Sequence, residues 1–478
     1  MSWKMKQKKI IFILLLLIVI VGTIIRFHHL SGESLWTDEM VTISHLRGNF
    51  NHLIGSITDK ELMPAGYFLL MKPVIAAFGE SEFSLRFLSV LFDILSIILV
   101  YLVGSKWFDK KVGILSSIFL ATAMLQVVYA QEARPYSLFG FLVLLATYLF
   151  IQAKKNKIIW LLYILIITAS LYTNYMALFV ILIHFLITAF YFKENIKRNL
   201  LSILAAMVMF TPGIPILYQQ VLLRQASLTK NLVLRGVPEF LGQLGIVFYL
   251  LPLTLLTIFL VLFFVMLKRL EKIRREQLIG LTGIMIIMAF TAQIIFLDTT
   301  LRSFALIRHS FFIVPFIYIL AAKGITLIKH KKLTGILLVI ILLFNFITLT
   351  IYYTETTKTP WNQAAKFIEE ESIGKPVVLL DRSGSNTQLY NYYQKKDVKI
   401  IELTEDVEGE IFELGLVQIN KELGSVKEFW FISSRNFKGK VDYEFLLDKN
   451  FYKIKTIYFK EMVVIKFDNI TKDLITIH

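Results

Sequence analysis

The chain has 478 residues, of which 56% are hydrophobic, 14% aromatic and 18% charged, against about 25% charged in a soluble domain. With a mean hydropathy of +0.65, this composition argues against a soluble enzyme, a nucleic-acid-binding module or a disordered tail. The formal charge of +16 is unevenly placed: residues 354–478 carry 18 Lys and Arg against 20 Asp and Glu, while residues 1–353 carry 33 against 15. The positive charge therefore belongs to the apolar part and speaks of membrane topology. The absence of cysteine excludes disulfides, thiolate metal sites, iron–sulfur clusters and cysteine nucleophiles.

In chain order, eleven apolar runs have the length that carries a helix across a ~30 Å hydrocarbon core. They lie near 9–27, 83–104, 112–128, 136–153, 158–173, 175–192, 199–218, 241–267, 278–297, 310–328 and 333–353. The first follows Lys4, Lys6, Lys8 and Lys9 and leads into Arg26-Phe27-His28-His29 without a small-x-small cleavage site, so it reads as an uncleaved span. Alternate connections hold the basic residues, 21 in all with the N-terminal lysines. The positive-inside rule puts that side, and the N-terminus, in the cytoplasm. The C-terminus is then outside.

Residues 64–79 are apolar but short, with Lys72-Pro73 in the middle. A crossing there would invert the lysine pattern, so the stretch reads as an interfacial or re-entrant helix. It closes a long first external loop, 28–82. Beyond Tyr353, helix-like runs (361–371, 386–394, 441–450) alternate with strand-like runs (376–381, 398–403, 429–433). A final pair, 452–459 and 462–467, reads as a hairpin. The expected fold is thus a polytopic α-helical membrane protein of about eleven transmembrane helices with a small extracytoplasmic α/β C-terminal domain. Its domains are 1–353 and 354–478.

Within the first loop, Trp36-Thr37-Asp38-Glu39 places two adjacent carboxylates beside an indole. Such a pair can supply a general base or bind a cation; a solvated turn capping the next helix explains it equally well. His28, His29, His45 and His52 share the loop, with no helical ligand spacing that involves a carboxylate. A second constellation, Tyr129 to Tyr136, holds Glu132 and Arg134. The guanidinium there suits a phosphate, or else an interfacial Arg–Glu pair within an aromatic belt. Arg302, Arg308 and His309 form a third group, suited to an anionic head group. Tyr172-Thr173-Asn174-Tyr175 lies at another outer turn. Asp93 stands inside a span, where a charge is costly and usually faces protein or water, and His184 reads as a core histidine.

These pieces resemble, in order and spacing over roughly 1–350, the GT-C superfamily of polytopic glycosyltransferases. The similarity is to its family-39-like group, which includes protein O-mannosyltransferases and lipid A aminoarabinose transferases. The stretches that carry it are 36–39, GESEFSLRFLSVL at 79–91, YAQEARPYSL at 129–138, LYTNYMALF at 171–179 and RHSFFIVP at 308–315. The resemblance implies a membrane glycosyltransferase that takes sugar from a polyprenyl-phosphate donor and passes it to a protein, lipid or polysaccharide acceptor outside the cytoplasm. It further implies that Asp38, followed by Glu39, is the base. Fixed positive charge must stabilise the departing phosphate, with Arg134, Arg308, Arg302, His309 and Lys72 as candidates. Trp36, Glu132, Tyr136 and Tyr175 are expected to line the substrate.

Relatives carry a His-Pro-Pro stretch where this chain reads Glu61-Leu62-Met63-Pro64-Ala65, and Asn174 stands where His is frequent. No metal ligand is therefore assigned, and a divalent cation is left open as a cofactor. Two other readings remain: a polyprenyl-lipid flippase, which would predict inverted repeats that the sequence lacks, and an oligosaccharyltransferase subunit, which would want a Trp-Trp-Asp run absent from 354–478.

Overall fold

The computed structural model describes residues 3–61, 63–153, 156–231, 311–355, 358–381, 385–403, 419, 421–423, 426–434, 447–448, 450–459 and 462–471. The expected spans at 241–267 and 278–297, and Arg302, Arg308 and His309, lie outside the described residues, as does most of the helix expected at 441–450. The chain divides into two compact units. The first comprises Met1–Leu30 and His45–Ile351, the second Ser31–Ser44 and Tyr352–His478.

The first unit is helical. Helix α1 (Trp3–Phe27) contains the first apolar run. Three helices occupy the segment 28–82 that follows α1: α2 (Thr37–Leu46), whose last two residues belong to this unit, α3 (Phe50–Lys60) and α4 (Gly66–Phe78). The 13 residues of α4 span about 20 Å at 1.5 Å per residue, short of a hydrocarbon core. Next come α5 (Glu82–Trp107), α6 (Lys110–Thr122), α7 (Met124–Ala130), α8 (Tyr136–Gln152), α9 (Lys157–Thr173), α10 (Ala177–Tyr191), α11 (Ile196–Phe210) and α12 (Ile214–Asn231). Beyond the undescribed stretch lie α13 (Val314–Thr326) and α14 (Lys331–Thr354).

Among the described residues, α1, α5, the run Lys193–Leu222 and α14 are long and apolar enough to cross a membrane. The pair α6 and α7, bent by 60°, makes a fifth span if taken together. The apolar helices α8, α9, α10 and α13 are shorter. Leu200, Leu201 and Leu204 on α11 and Val339, Leu343 and Phe346 on α14 are exposed, the lipid-facing pattern of a multi-pass membrane protein.

Helix α5 is the centre, packing on α1, α4, α6, α7, α8 and α13. It starts with a capping box in which Ser81 and Ser84 satisfy one another's backbone amides. At its far end the Cα of Gly113 on α6 lies 3.2 Å from where a Cβ on Gly104 would stand, the small-residue approach that lets membrane helices touch. The α6–α7 bend falls at Ala123, which is extended (φ −73°, ψ 123°). Such a break strips carbonyls at the end of α6 of their helical donors.

In the second unit, five strands, β1 (Val377–Asp381), β2 (Lys399–Leu403), β3 (Glu428–Ser434), β4 (Phe451–Phe459) and β5 (Met462–Thr471), form one sheet in the order β2-β1-β3-β5-β4. β1 pairs parallel with β2 and β3; β3–β5 and β4–β5 are antiparallel. The hairpin expected at the C-terminus is β4–β5, closing at Phe459 opposite Met462. Helices α15 (Trp361–Glu371) and α16 (Ser385–Tyr393) accompany the sheet. Trp361, Ala364, Ala365 and Ile368 form the buried stripe of α15, at the spacing of one helical face. Phe429 stacks on Phe467 with centroids 5.4 Å apart inside an apolar core with Leu379 and Phe431.

Candidate active site

The two acidic residues singled out in the first loop stand in the first turn of α2, where the helix dipole favours negative charge. Their environments differ. Glu39 is fully buried; its Oε2 accepts from Lys358 Nζ at 3.0 Å and from the Trp36 amide at 3.4 Å. Asp38 is half-buried, and its carbonyl accepts the Thr42 hydroxyl at 3.1 Å. Trp36 is half-buried beside them. The segment Ser31–Ser44 is stitched into the second unit: Ser34 Oγ donates to Asn362 Oδ1 at 2.7 Å and accepts the Asn362 amide at 3.0 Å, and the Leu35 amide donates to Tyr393 Oη at 2.7 Å. The acidic pair thus belongs to the same compact unit as the α/β sheet.

A second polar cluster is built within the helical unit. The α7–α8 connector is fixed at three points. Gln131 Nε2 donates to the carbonyls of Arg26 (2.9 Å) and His28 (2.8 Å), Ser89 Oγ to that of Arg134 (3.2 Å) and Ser137 Oγ to that of Tyr129 (3.1 Å). Arg134, 5% exposed, directs its guanidinium onto Glu61: Nη1 to Oε1 at 2.5 Å and Nη2 to Oε2 at 3.3 Å. Glu61 ends α3, its amide donating to the Ile57 carbonyl at 3.1 Å. His45 flanks it, with Nε2 3.7 Å from Oε1 and Nδ1 2.9 Å from Ser56 Oγ; the imidazole meets the Phe68 ring edge-on. Gln220 on α12 grips both sides of this turn, donating to the carbonyls of Ile57 (3.1 Å) and Met63 (3.3 Å). Its Oε1 accepts the Tyr175 hydroxyl at 2.7 Å.

Burial by itself would push the Glu61 carboxyl up. The Arg134 guanidinium and the His45 contact outweigh it and hold the group down at about 2, so it is ionised throughout the neutral range. The arrangement is a buried, two-point guanidinium–anion contact, the geometry in which an arginine binds carboxylate or phosphate.

Residues 63–219 match the family model described as dolichyl-phosphate-mannose-protein mannosyltransferase. The fold matches ArnT from Cupriavidus metallidurans in the apo state with a TM-score of 0.59 at 14% identity, covering 94% of this chain and 97% of that one. Residues 63–219 thus resemble that mannosyltransferase family, and the fold of nearly the whole chain is that of ArnT. The structure of ArnT bound to undecaprenyl phosphate gives a TM-score of 0.58 at 14% identity, with 94% and 97% of the two chains covered. The archaeal oligosaccharyltransferase AglB from Archaeoglobus fulgidus, in complex with an inhibitory peptide and a dolichol-phosphate, gives 0.54 at 10%, covering 95% and 73%. No curated protein sequence matches this chain.

The residues expected from sequence are distributed as follows. Trp36, Asp38 and Glu39 come together in the second unit. Arg134, Glu132 and Tyr136 share the α7–α8 connector in the first. The Glu132 carbonyl accepts the Arg134 amide at 2.8 Å, and the Glu61 carboxylate contacts the guanidinium. Tyr136 is buried against Tyr129 (centroids 5.3 Å apart) near Met63 and Phe311. Tyr175 reaches the same neighbourhood through Gln220. Lys72 is a backbone clamp, its ammonium on the carbonyls of Leu46 (3.0 Å) and Gly48 (2.7 Å). His28, His29 and His52 are exposed and His45 is buried. Among the described residues no group of three His, Cys, Asp or Glu side chains has the arrangement of a metal site.

Sequence reasoning passed over Glu61, Arg26, Gln220 and Lys358 as functional candidates. Glu61 carried one signal, an acidic residue directly before the stretch where the chain departs from its relatives' His-Pro-Pro. Gln220 and Lys358 carried none, because their partners lie far away in the chain.

Proposed function

We propose that the enzyme moves a sugar from a polyprenyl-phosphate carrier to an acceptor hydroxyl on the extracytoplasmic side of the membrane. Asp38 accepts the hydroxyl proton as the oxygen bonds to the anomeric carbon. The bond from that carbon to the phosphate oxygen breaks, and the electron pair leaves with the lipid phosphate. Arg134 then faces the phosphate, whose growing charge it stabilises. Arg308, Arg302 and His309 are further candidates for the same task.

The observation that carries this reading is the buried Arg134 fork, already held in two-point contact with an anion. The ligands of the structural neighbours support it: undecaprenyl phosphate in ArnT and dolichol-phosphate in AglB. Burial favours Asp38 over Glu39 as the base, since Glu39 is enclosed with Lys358 while Asp38 retains access to solvent.

In this proposal residues 1–353 are the membrane catalytic domain and 354–478 an external domain, with the N-terminus cytoplasmic. Because the chain has no cysteine, a single Cys in place of Lys395 gives a clean topology probe. Labelling by an impermeant maleimide in intact cells is expected, and protection would reverse the orientation.

The chemical test is transfer of radiolabelled sugar from polyprenyl-phosphate donors to membrane acceptors, comparing the wild type with Asp38→Asn at equal abundance. Loss of a proton acceptor is expected to slow transfer by about 10²–10⁴-fold. Equal rates would remove Asp38 from the chemistry.

A further inference from the structure

The Arg134 fork faces an anion that belongs to the protein itself. Glu61 is no surface carboxylate that drifts in and out of contact. It is 8% exposed, it closes the last turn of α3, and Gln220 holds the carbonyls of Ile57 and Met63 on either side of it. His45, itself fixed by Ser56, stands against its free edge. A carboxylate and a phosphate offer a guanidinium the same pair of oxygens. Glu61 therefore occupies the geometry that a lipid phosphate on Arg134 would need.

We propose that Glu61 is a resident counter-anion: it keeps the Arg134 fork formed in the empty enzyme, and an incoming lipid phosphate must share or take over that fork, so that Glu61 sets how tightly the lipid phosphate is held. The inference rests on the reading of Arg134 as a phosphate ligand. Two consequences follow from charge alone. A fixed negative charge beside the phosphate site weakens binding of every lipid phosphate. It weakens the product more than the donor, because a sugar phosphodiester carries one negative charge whereas the released monoester carries up to two. Glu61 would thereby favour product departure, the step at which a tight phosphate site otherwise stalls.

The experiment uses the full-length protein in detergent micelles, titrated with undecaprenyl phosphate and read by thermal shift and by intrinsic tryptophan fluorescence. Glu61→Gln is expected to bind this lipid about tenfold more tightly than the wild type, the order of effect of removing one charge a few ångströms from the ligand. Glu61→Asp, which keeps the charge but shortens its reach to the fork, is expected to tighten binding by about threefold. It serves as the readout should Glu61→Gln fail to fold.

Arg134→Gln separates the two ideas. If Arg134→Gln binds undecaprenyl phosphate as the wild type does, Arg134 is not a phosphate ligand and the underlying reading fails. If Arg134→Gln loses binding while the Glu61 variants bind equally or more weakly than the wild type, Arg134 stands as the ligand and Glu61 is only its scaffold. That outcome would overturn the inference.

Discussion

Arg26 Nε donates to Asp93 Oδ2 across 2.5 Å, and both side chains are shut off from solvent within the helical unit. The remaining guanidinium donors reach the carbonyls of Gly22 (3.0 Å), Ala121 (2.9 Å) and Leu120 (3.0 Å). The last two are carbonyls that the α6–α7 break leaves without helical partners. The pair thus explains how a charge survives inside a span and how the bend is tolerated. Removing one partner strands a buried charge, at a cost of about 3–5 kcal/mol. Asp93→Asn is accordingly expected to lower the thermal midpoint strongly. The double variant Arg26→Met with Asp93→Leu should recover only part of the loss, since no apolar side chain caps Leu120 and Ala121. Full recovery in the double variant would mean that those carbonyls need no donor.

Glu39 and Lys358 make the corresponding pair in the second unit. Lys358→Met leaves the enclosed Glu39 carboxylate without its ammonium and should destabilise the protein by about 3 kcal/mol or more. At Asp38, half-buried in the first turn of α2, the charge that Asp38→Asn removes is favoured by the helix start by about 0.3–1 kcal/mol. Melting curves of the two variants, set beside their transfer rates, should divide stability from chemistry. A strongly destabilised Asp38→Asn protein would blur that division and count against the separate roles of the two carboxylates.

The depressed Glu61 carboxyl links stability to pH. A group with its folded value near 2 and its ordinary value at 4.5 contributes stability that is present above 4.5 and lost as pH falls toward 2. At neutral pH the contribution is on the order of 3 kcal/mol. The wild type should therefore melt higher than Glu61→Gln at pH 6 and above, with the gap narrowing below pH 4.5. A gap that stays constant down to pH 3 would show that Glu61 titrates normally.

Gly66 opens α4 against the end of α9, where a Cβ would lie 2.4 Å from the Tyr172 carbonyl oxygen. Backbone cannot yield as a flexible side chain can, so Gly66→Ala should cost about 1–3 kcal/mol and displace α4 relative to Tyr172 and its neighbours. Gly55, where an added Cβ meets nothing within 4 Å, is the control: Gly55→Ala in the interior of α3 should leave stability unchanged or raise it by about 0.5–1 kcal/mol. Equal melting temperatures for the two variants would argue against a close α4–α9 approach.

Much of the fold was legible in local pattern. Apolar runs marked helices α1, α5, α6 to α11, α13 and α14, and alternation marked the β4–β5 hairpin, because helix and strand each write their period into the side chains that must face lipid or core. The acidic pair was legible as the start of a helix. The α6–α7 bend was not, since no proline marks it and the break at Ala123 is held by Arg26 from another helix.

The polar partnerships were the least legible, and the reason is chain distance. Glu61 lies 73 residues from Arg134 and Asp93 lies 67 from Arg26; Gln220 lies 157 from Met63 and Lys358 lies 319 from Glu39. By itself, the sequence determined that this is a multi-pass membrane protein with an α/β segment after it, because transfer of apolar side chains out of water depends on composition along the chain and on little else. Which charge meets which was decided only by tertiary structure: an ion pair in a buried site is stable only when packing brings both partners to within a few ångströms, and no local rule encodes where two distant segments will touch.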